Sequence, residues 1–120
     1  MADHNELGAW GEQMAREHLL ARGYAIAGEN TRDGGVEIDF IATRDDIICF
    51  VEVKTRRTAF IDPTEAVDRR KRARMVRAAD AYMRDYAIPL QPQFDIIIVT
   101  GIPGDYTIEH IPDAFFPGRM

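Results

Sequence analysis

Residues 36–54 read VEIDFIATRDDIICFVEVK, two alternating apolar runs, Val36–Ala42 and Ile47–Lys54, joined by the polar stretch Thr43–Asp46. This pattern predicts a β-hairpin. Side chains alternate between the faces of a strand, so Glu37 and Asp39 share one face, as do Glu52 and Lys54. With the turn at Asp45 and Asp46, Asp39 stands opposite Glu52 and Glu37 opposite Lys54. Directly paired Cβ atoms lie about 5 Å apart. Three carboxylates and one amine then converge. A register slip of one residue would undo the cluster, so the turn decides it.

Working outward, a first helix is expected over Leu7–Arg22, with Gly23 as its C-terminal cap. A short strand, Tyr24–Ala27, and a turn-rich loop, Asn30–Gly35, precede the hairpin. A second helix is expected from Pro63 or Thr64 to Tyr86. Pro89 and Pro92 then mark a loop. Phe94–Thr100 reads as a buried strand rich in β-branched residues. Gly101–Asp105 reads as a turn and Tyr106–Ile111 as a last strand. The order α-β-β-β-α-β-β predicts an α/β domain with a central mixed sheet of about five strands flanked by helices. At 120 residues, a single domain over the whole chain is expected.

Composition narrows the class. The one cysteine, Cys49, rules out an intrachain disulfide and fits a reducing, cytoplasmic setting. Cys49 lies on the strand face opposite Glu52 and reads as a core residue. Met1–Ala9 lacks the pattern of a signal peptide, and no stretch suits a membrane span. His4, His18 and His110 are scattered and read as structural or surface residues. Net charge is −5, yet Glu52–Arg77 carries nine Lys/Arg against four Asp/Glu. That segment is a candidate anion-binding face on an acidic body.

Acidic pairs beside a lysine suit one chemistry. Mg2+ is typically held by one or two carboxylates plus substrate phosphate. The metal lowers the pKa of a bound water, and a lysine can orient that water or neutralise developing charge. Asp39, Glu37, Glu52 and Lys54 therefore form a minimal set for phosphodiester hydrolysis. The bland alternative is a solvated Glu-x-Lys pair. Against it, Ile48, Phe50, Val51 and Val53 predict a largely buried strand, where charges need partners. Glu12 falls on the helix face of Gly8, Ala15 and Leu19, and Gly8 and Gly11 would allow close approach to the sheet. Glu12 reads either as a further acid of the cluster or as a boundary glutamate reaching solvent. Arg70, Arg74 and Arg77 form one helical stripe. With Arg56 and Arg57 they suit phosphate contacts, or else a solvated face.

The ordered series of these residues resembles the YraN-like family. That family is a branch of the PD-(D/E)xK restriction-endonuclease-like superfamily, similar to archaeal Holliday-junction resolvases. The resemblance is carried by Gly11-Glu12 and Ala15, by Asn30 and Arg32, and by Glu37-Ile38-Asp39-Phe40-Ile41. It continues through Phe50-Val51-Glu52-Val53-Lys54-Thr55-Arg56, then Ala66-Val67-Asp68 with Lys71, Phe94-Asp95 and Glu109-His110-Ile111. The resemblance implies a restriction-endonuclease-like fold with Mg2+ or Mn2+ at Asp39 and Glu52, Lys54 as catalytic lysine and Glu12 as the helix acid. Glu37 would assist the metal. Arg32, Arg56, Arg57, Lys71 and Arg74 would hold phosphates of DNA, branched DNA included. A homodimer is compatible with cutting two strands. Val36 stands where the family usually has glycine, and Gln93 where it usually has arginine. A nucleic-acid-binding module without turnover and a protein-interaction domain stay open as alternatives.

Overall fold

A computed structural model describes residues 4–33, 36–59 and 69–115. The elements are α1 (His4–Ala21), β1 (Ala25–Asp33), β2 (Val36–Arg44), β3 (Ile47–Arg56), α2 (Arg69–Asp85), β4 (Gln91–Ile102) and β5 (Asp105–Phe115). The five strands form one sheet in chain order. The β3–β4 pair is parallel, and the other neighbours are antiparallel. Parallel neighbours need a crossover, and the chain between β3 and β4 carries α2. The architecture is thus α/β, a five-stranded mixed sheet flanked by two helices.

Each sheet face buries its own core. Ile48, Phe50, Phe94 and Ile96 pack with Met75, Ala78 and Ala79 of α2. Cys49, Val51, Ile97 and Val99 pack with Ala15 and Leu19 of α1. Strict alternation along β3 and β4 supplies both faces, as expected for central strands. On α2 the buried residues follow helical spacing, and Arg70, Arg74 and Arg77 are exposed. Gly23 closes α1 at φ +86°. Its amide donates to the Leu20 carbonyl at 3.1 Å and the Tyr24 amide to the Leu19 carbonyl at 3.0 Å. This is a Schellman cap.

The decisive hairpin turn lies where the sequence places it. Arg44 pairs with Ile47 around Asp45 and Asp46, and Asp45 adopts φ +54°. Two-residue hairpin turns require such a conformation, which aspartate tolerates.

Several boundaries differ from expectation. The stretch read as a loop from Asn30 continues β1 to Asp33, with Thr31 against Ile38 and Arg32 against Glu37. A register shift at Ile26–Gly28 and φ +50° at Asn30 absorb the turn-forming residues, and pairing with β2 overrides local preference. β4 begins at Gln91 rather than Phe94. Its Pro92 is tolerated because β5 joins only from Phe94 onward, so no ladder bond is lost on that side. β4 and β5 also run on to Ile102 and Phe115. The start expected for the second helix, with Ala66, Val67 and Asp68, lies outside the described residues. Among the described residues no helix is long and apolar enough to cross a membrane.

Candidate metal centre

The β2–β3 ladder ends at Phe40–Val51. One step further in the same register, Asp39 faces Glu52. There the backbone N–H of Val53 donates to Asp39 Oδ2 at 2.8 Å. The facing of β2 changes at this point. Val36 and Ile38 join the α2-side core, whereas Phe40 and Ala42 join the α1-side core. Regular alternation would keep all four together. Asp39 sits at the switch, so its carboxylate turns toward β3.

Glu52 is only 3% exposed. Its Oε1 accepts from Nζ of Lys71, which α2 carries over the sheet, and lies 3.6 Å from Nζ of Lys54. Its Oε2 is buried and has no hydrogen-bond partner among the described residues. Burial and then the Glu52 carboxylate push the Asp39 carboxyl up to about 7, against the pull of the Val53 N–H. Burial and then Glu37 raise Glu12, with smaller contributions from Glu52 and Glu29, while a hydrogen bond with Asn30 lowers it. Acids from α1, β2 and β3 therefore act on one another electrostatically.

Glu12 owes its place to Gly11 rather than Gly8. A Cβ on Gly11 would meet Thr55 Oγ1 at 1.9 Å, whereas one on Gly8 meets nothing within 4 Å. The expected approach of α1 to the sheet thus depends on Gly11 alone.

Glu37 takes a different position from the one its strand spacing suggests. The ladder stops before Glu37 could oppose Lys54, and its side chain pairs at 3.4 Å with Arg32 on β1. Because Val36 and Ile38 face α2, Glu37 faces the α1 side, away from the face shared by Glu52 and Lys54. Among the described residues no group of three or more His, Cys, Asp or Glu is gathered closely enough to hold a metal. Asp39 and Glu52 are a pair.

That pair suits a hard divalent cation, which needs one or two protein carboxylates when phosphate completes its shell. Glu52 Oε2 has no partner among the described residues, and burial beside Glu52 raises Asp39. A bound cation would offset the repulsion between the buried Glu52 and the partly buried Asp39.

The basic residues spread more widely. Lys71 is engaged with Glu52. Arg56 donates from Nε to Thr100 Oγ1 at 3.0 Å. Arg57 and Arg74 are exposed, Arg74 one turn along α2 from Lys71. Arg32 is exposed beside Glu37.

Two features escaped the sequence reading. One is the closure of Lys71 onto Glu52, 19 residues away. The other is a chain of polar side chains on the α1 side of the sheet. His18 Nε2 lies 3.1 Å from His110 Nδ1, and His110 Nε2 lies 2.7 Å from Asp95 Oδ2. His18 and His110 were expected to be scattered structural or surface residues. Gln93 donates to Asp95 Oδ1 at 3.0 Å. A polar residue two before an aspartate on an apolar strand was the available signal, since both share a face.

A protein from Bacteroides thetaiotaomicron is 48% identical over 118 residues, covering 98% of each chain, and is called UPF0102 protein. A UPF0102 protein from Phocaeicola vulgatus is 41% identical with the same coverage. One from Porphyromonas gingivalis is 43% identical over 96% of this chain and 87% of its own. The model of the family described as Uncharacterised protein family UPF0102 matches residues 11–99, which include Glu12, Asp39, Glu52, Lys54, Lys71 and Asp95. With its matched segment and whole-length relatives in agreement, the chain belongs to the UPF0102 family.

Proposed function

We propose that the chain is a metal-dependent nuclease that hydrolyses DNA phosphodiester bonds, with branched DNA among its substrates. One observation carries the reading. Among the described residues Glu52 presents a buried oxygen without a partner beside a second, partly buried carboxyl, Asp39, and a lysine. Asp39 and Glu52 would hold Mg2+ or Mn2+. Such a cation, when bound, supplies a more acidic water and screens the charge of the scissile phosphate. Lys54 would donate to the attacking water or to a phosphate oxygen. Glu12, raised by its surroundings, would take up or release a proton near the cluster. Arg32, Arg56, Arg57 and Arg74 would contact phosphates along the strand.

The test is cleavage of linear and branched DNA with Mg2+ or Mn2+. Wild-type protein is expected to cleave, and Asp39→Ala and Lys54→Ala are expected to abolish cleavage while circular dichroism stays native. Undiminished cleavage in both variants would end this reading. A second reading, a DNA-binding module without turnover, is favoured by Lys71, which already balances Glu52 without a metal. It predicts salt-sensitive binding with no cleavage in either metal.

A further inference from the structure

The chain Asp95–His110–His18 ends in a pocket of about 220 Å³ lined by His18, Arg22, Tyr24, Arg44, Ile108, His110 and Pro112. Among the described residues no carboxylate lines it, although the protein is acidic overall. None of its residues belongs to the Asp39–Glu52 cluster. The volume is below the roughly 300–1,000 Å³ of pockets for drug-sized ligands, so it suits a small group.

Asp95 anchors the arrangement. It is fully buried and sits in a bulge where β5 spends Pro112–Ala114 against a single residue of β4. Asp113 adopts φ +52° there, and its amide donates to Asp95 Oδ1 at 3.1 Å. Bulges often re-aim groups at functional sites. Burial alone would raise the Asp95 pKa, but hydrogen bonds from His110, Gln93 and Asp113 outweigh it and hold the carboxyl below its usual range.

An ionised Asp95 only accepts, so with both imidazole rings neutral the proton positions follow. His110 must carry its proton on Nε2, and its Nδ1 is then an acceptor. His18 Nε2 must donate to it, which leaves His18 Nδ1 as a bare acceptor. Among the described residues the only buried side-chain atom without a partner is Glu52 Oε2. His18 Nδ1, bonded to none of them, therefore meets solvent at the pocket. Burial, then Arg22 and His110, lower the His18 pKa and favour its neutral ring.

Arg44 and Arg22 bring permanent positive charge to the same pocket. Arg44 stacks over the Tyr24 ring at 4.4 Å and spends one N–H on the Arg22 carbonyl at 3.0 Å, out of five donors. The pocket lies at the C-terminal end of α1, whose carbonyls would repel an anion. Those of Leu19 and Leu20 are capped by Tyr24 and Gly23, and that of Arg22 by Arg44.

A ligand that satisfies this set must accept from two guanidinium groups and donate to one bare imidazole nitrogen. We propose that the His18–Arg22–Arg44–His110 pocket binds a phosphate group that still carries a proton, either orthophosphate or a terminal phosphomonoester. Sulfate offers the same oxygens without a proton to donate, and it is the discriminating control.

The experiment is a titration of the whole protein with orthophosphate and with sulfate at neutral pH. It follows the His18 and His110 ring signals and the Arg44 Nε–H signal by NMR. Saturable shifts with phosphate, at least about tenfold weaker with sulfate, are expected, the factor for one hydrogen bond to a charged group. Arg44→Gln and Arg22→Gln should each weaken binding by a similar factor, and Arg44→Lys less. Arg22 is exposed at the helix end, so its variant tests the charge with little risk to the fold. Asp39→Ala should leave the titration unchanged, which separates this site from the metal centre. A 5′-phosphorylated oligonucleotide that competes when its 5′-hydroxyl counterpart does not would identify a nucleic-acid end as the source. Competition by neither would assign the pocket to free phosphate. Shifts that never saturate, equal response to sulfate, or unchanged binding in both arginine variants would overturn the proposal.

Discussion

The Val53 amide donates to Asp39 Oδ2 at 2.8 Å, one step past the last ladder pair between β2 and β3. A side chain thus takes the place of a strand partner, and the hairpin opens at Asp39 and Glu52. The first prediction concerns that opening.

Asp39 keeps its proton up to about pH 7 in the folded protein, whereas an unfolded aspartate loses it near pH 3.9. Between those values the folded state binds more protons, so stability falls as pH rises through this window. In a chelating buffer the wild type should lose melting temperature between about pH 4 and about pH 7. Asp39→Asn should lose less. Equal losses in parallel thermal melts would show that Asp39 titrates normally.

Lys71 and Glu52 form a pair in which one partner is almost wholly buried. Lys71→Met should destabilise by about 1–3 kcal/mol, because a buried carboxylate loses a charged donor. In the Glu52→Gln background the same change should cost much less. Urea melts of the four proteins measure this coupling, and simple additivity would contradict it.

Gly11→Ala should destabilise by about 1–3 kcal/mol through overpacking on Thr55. Gly8→Ala meets nothing and should stabilise α1 by up to about 1 kcal/mol. Thermal melts of both variants check the opposite signs.

Asp95 has a depressed pKa, so its contribution is present above the unfolded value near pH 3.9 and is lost as pH falls through the folded value. Asp95→Asn should therefore be less stable than wild type at neutral pH and converge with it in strong acid. Circular dichroism across an acid titration reads the convergence.

Burial pushes the Cys49 thiol up to about 12, and Cys49 has no exposed surface. A thiol reagent at about pH 8 should label it only after denaturant is added, since the thiolate is the nucleophile. Rapid labelling of native protein would contradict that placement.

Where local pattern decides structure, the sequence was legible. Alternation at i, i+2 identified β2 and β3, and Asp45-Asp46 set their register. Gly23 marked the end of α1, and Cys49 fell opposite Glu52. The pairing of Asp39 with Glu52 followed from those features alone. Asn30 to Asp33 misled, because turn-forming residues yield when a neighbouring strand offers ladder bonds. Glu37 misled too, since a kink at Asp39 breaks the period on which its facing was judged.

What the sequence alone determined is therefore the α/β order, the hairpin, and the acids and lysine at its open end. Each depends on contacts a few residues apart or on a period of two. Only the tertiary structure decided that Lys71 closes on Glu52 and that Glu37 turns to Arg32. It alone joined His18 to His110 across 92 positions and His110 to Asp95 across 15. Such contacts depend on how helices seat on the sheet and where bulges fall, and the packing of the whole chain sets both.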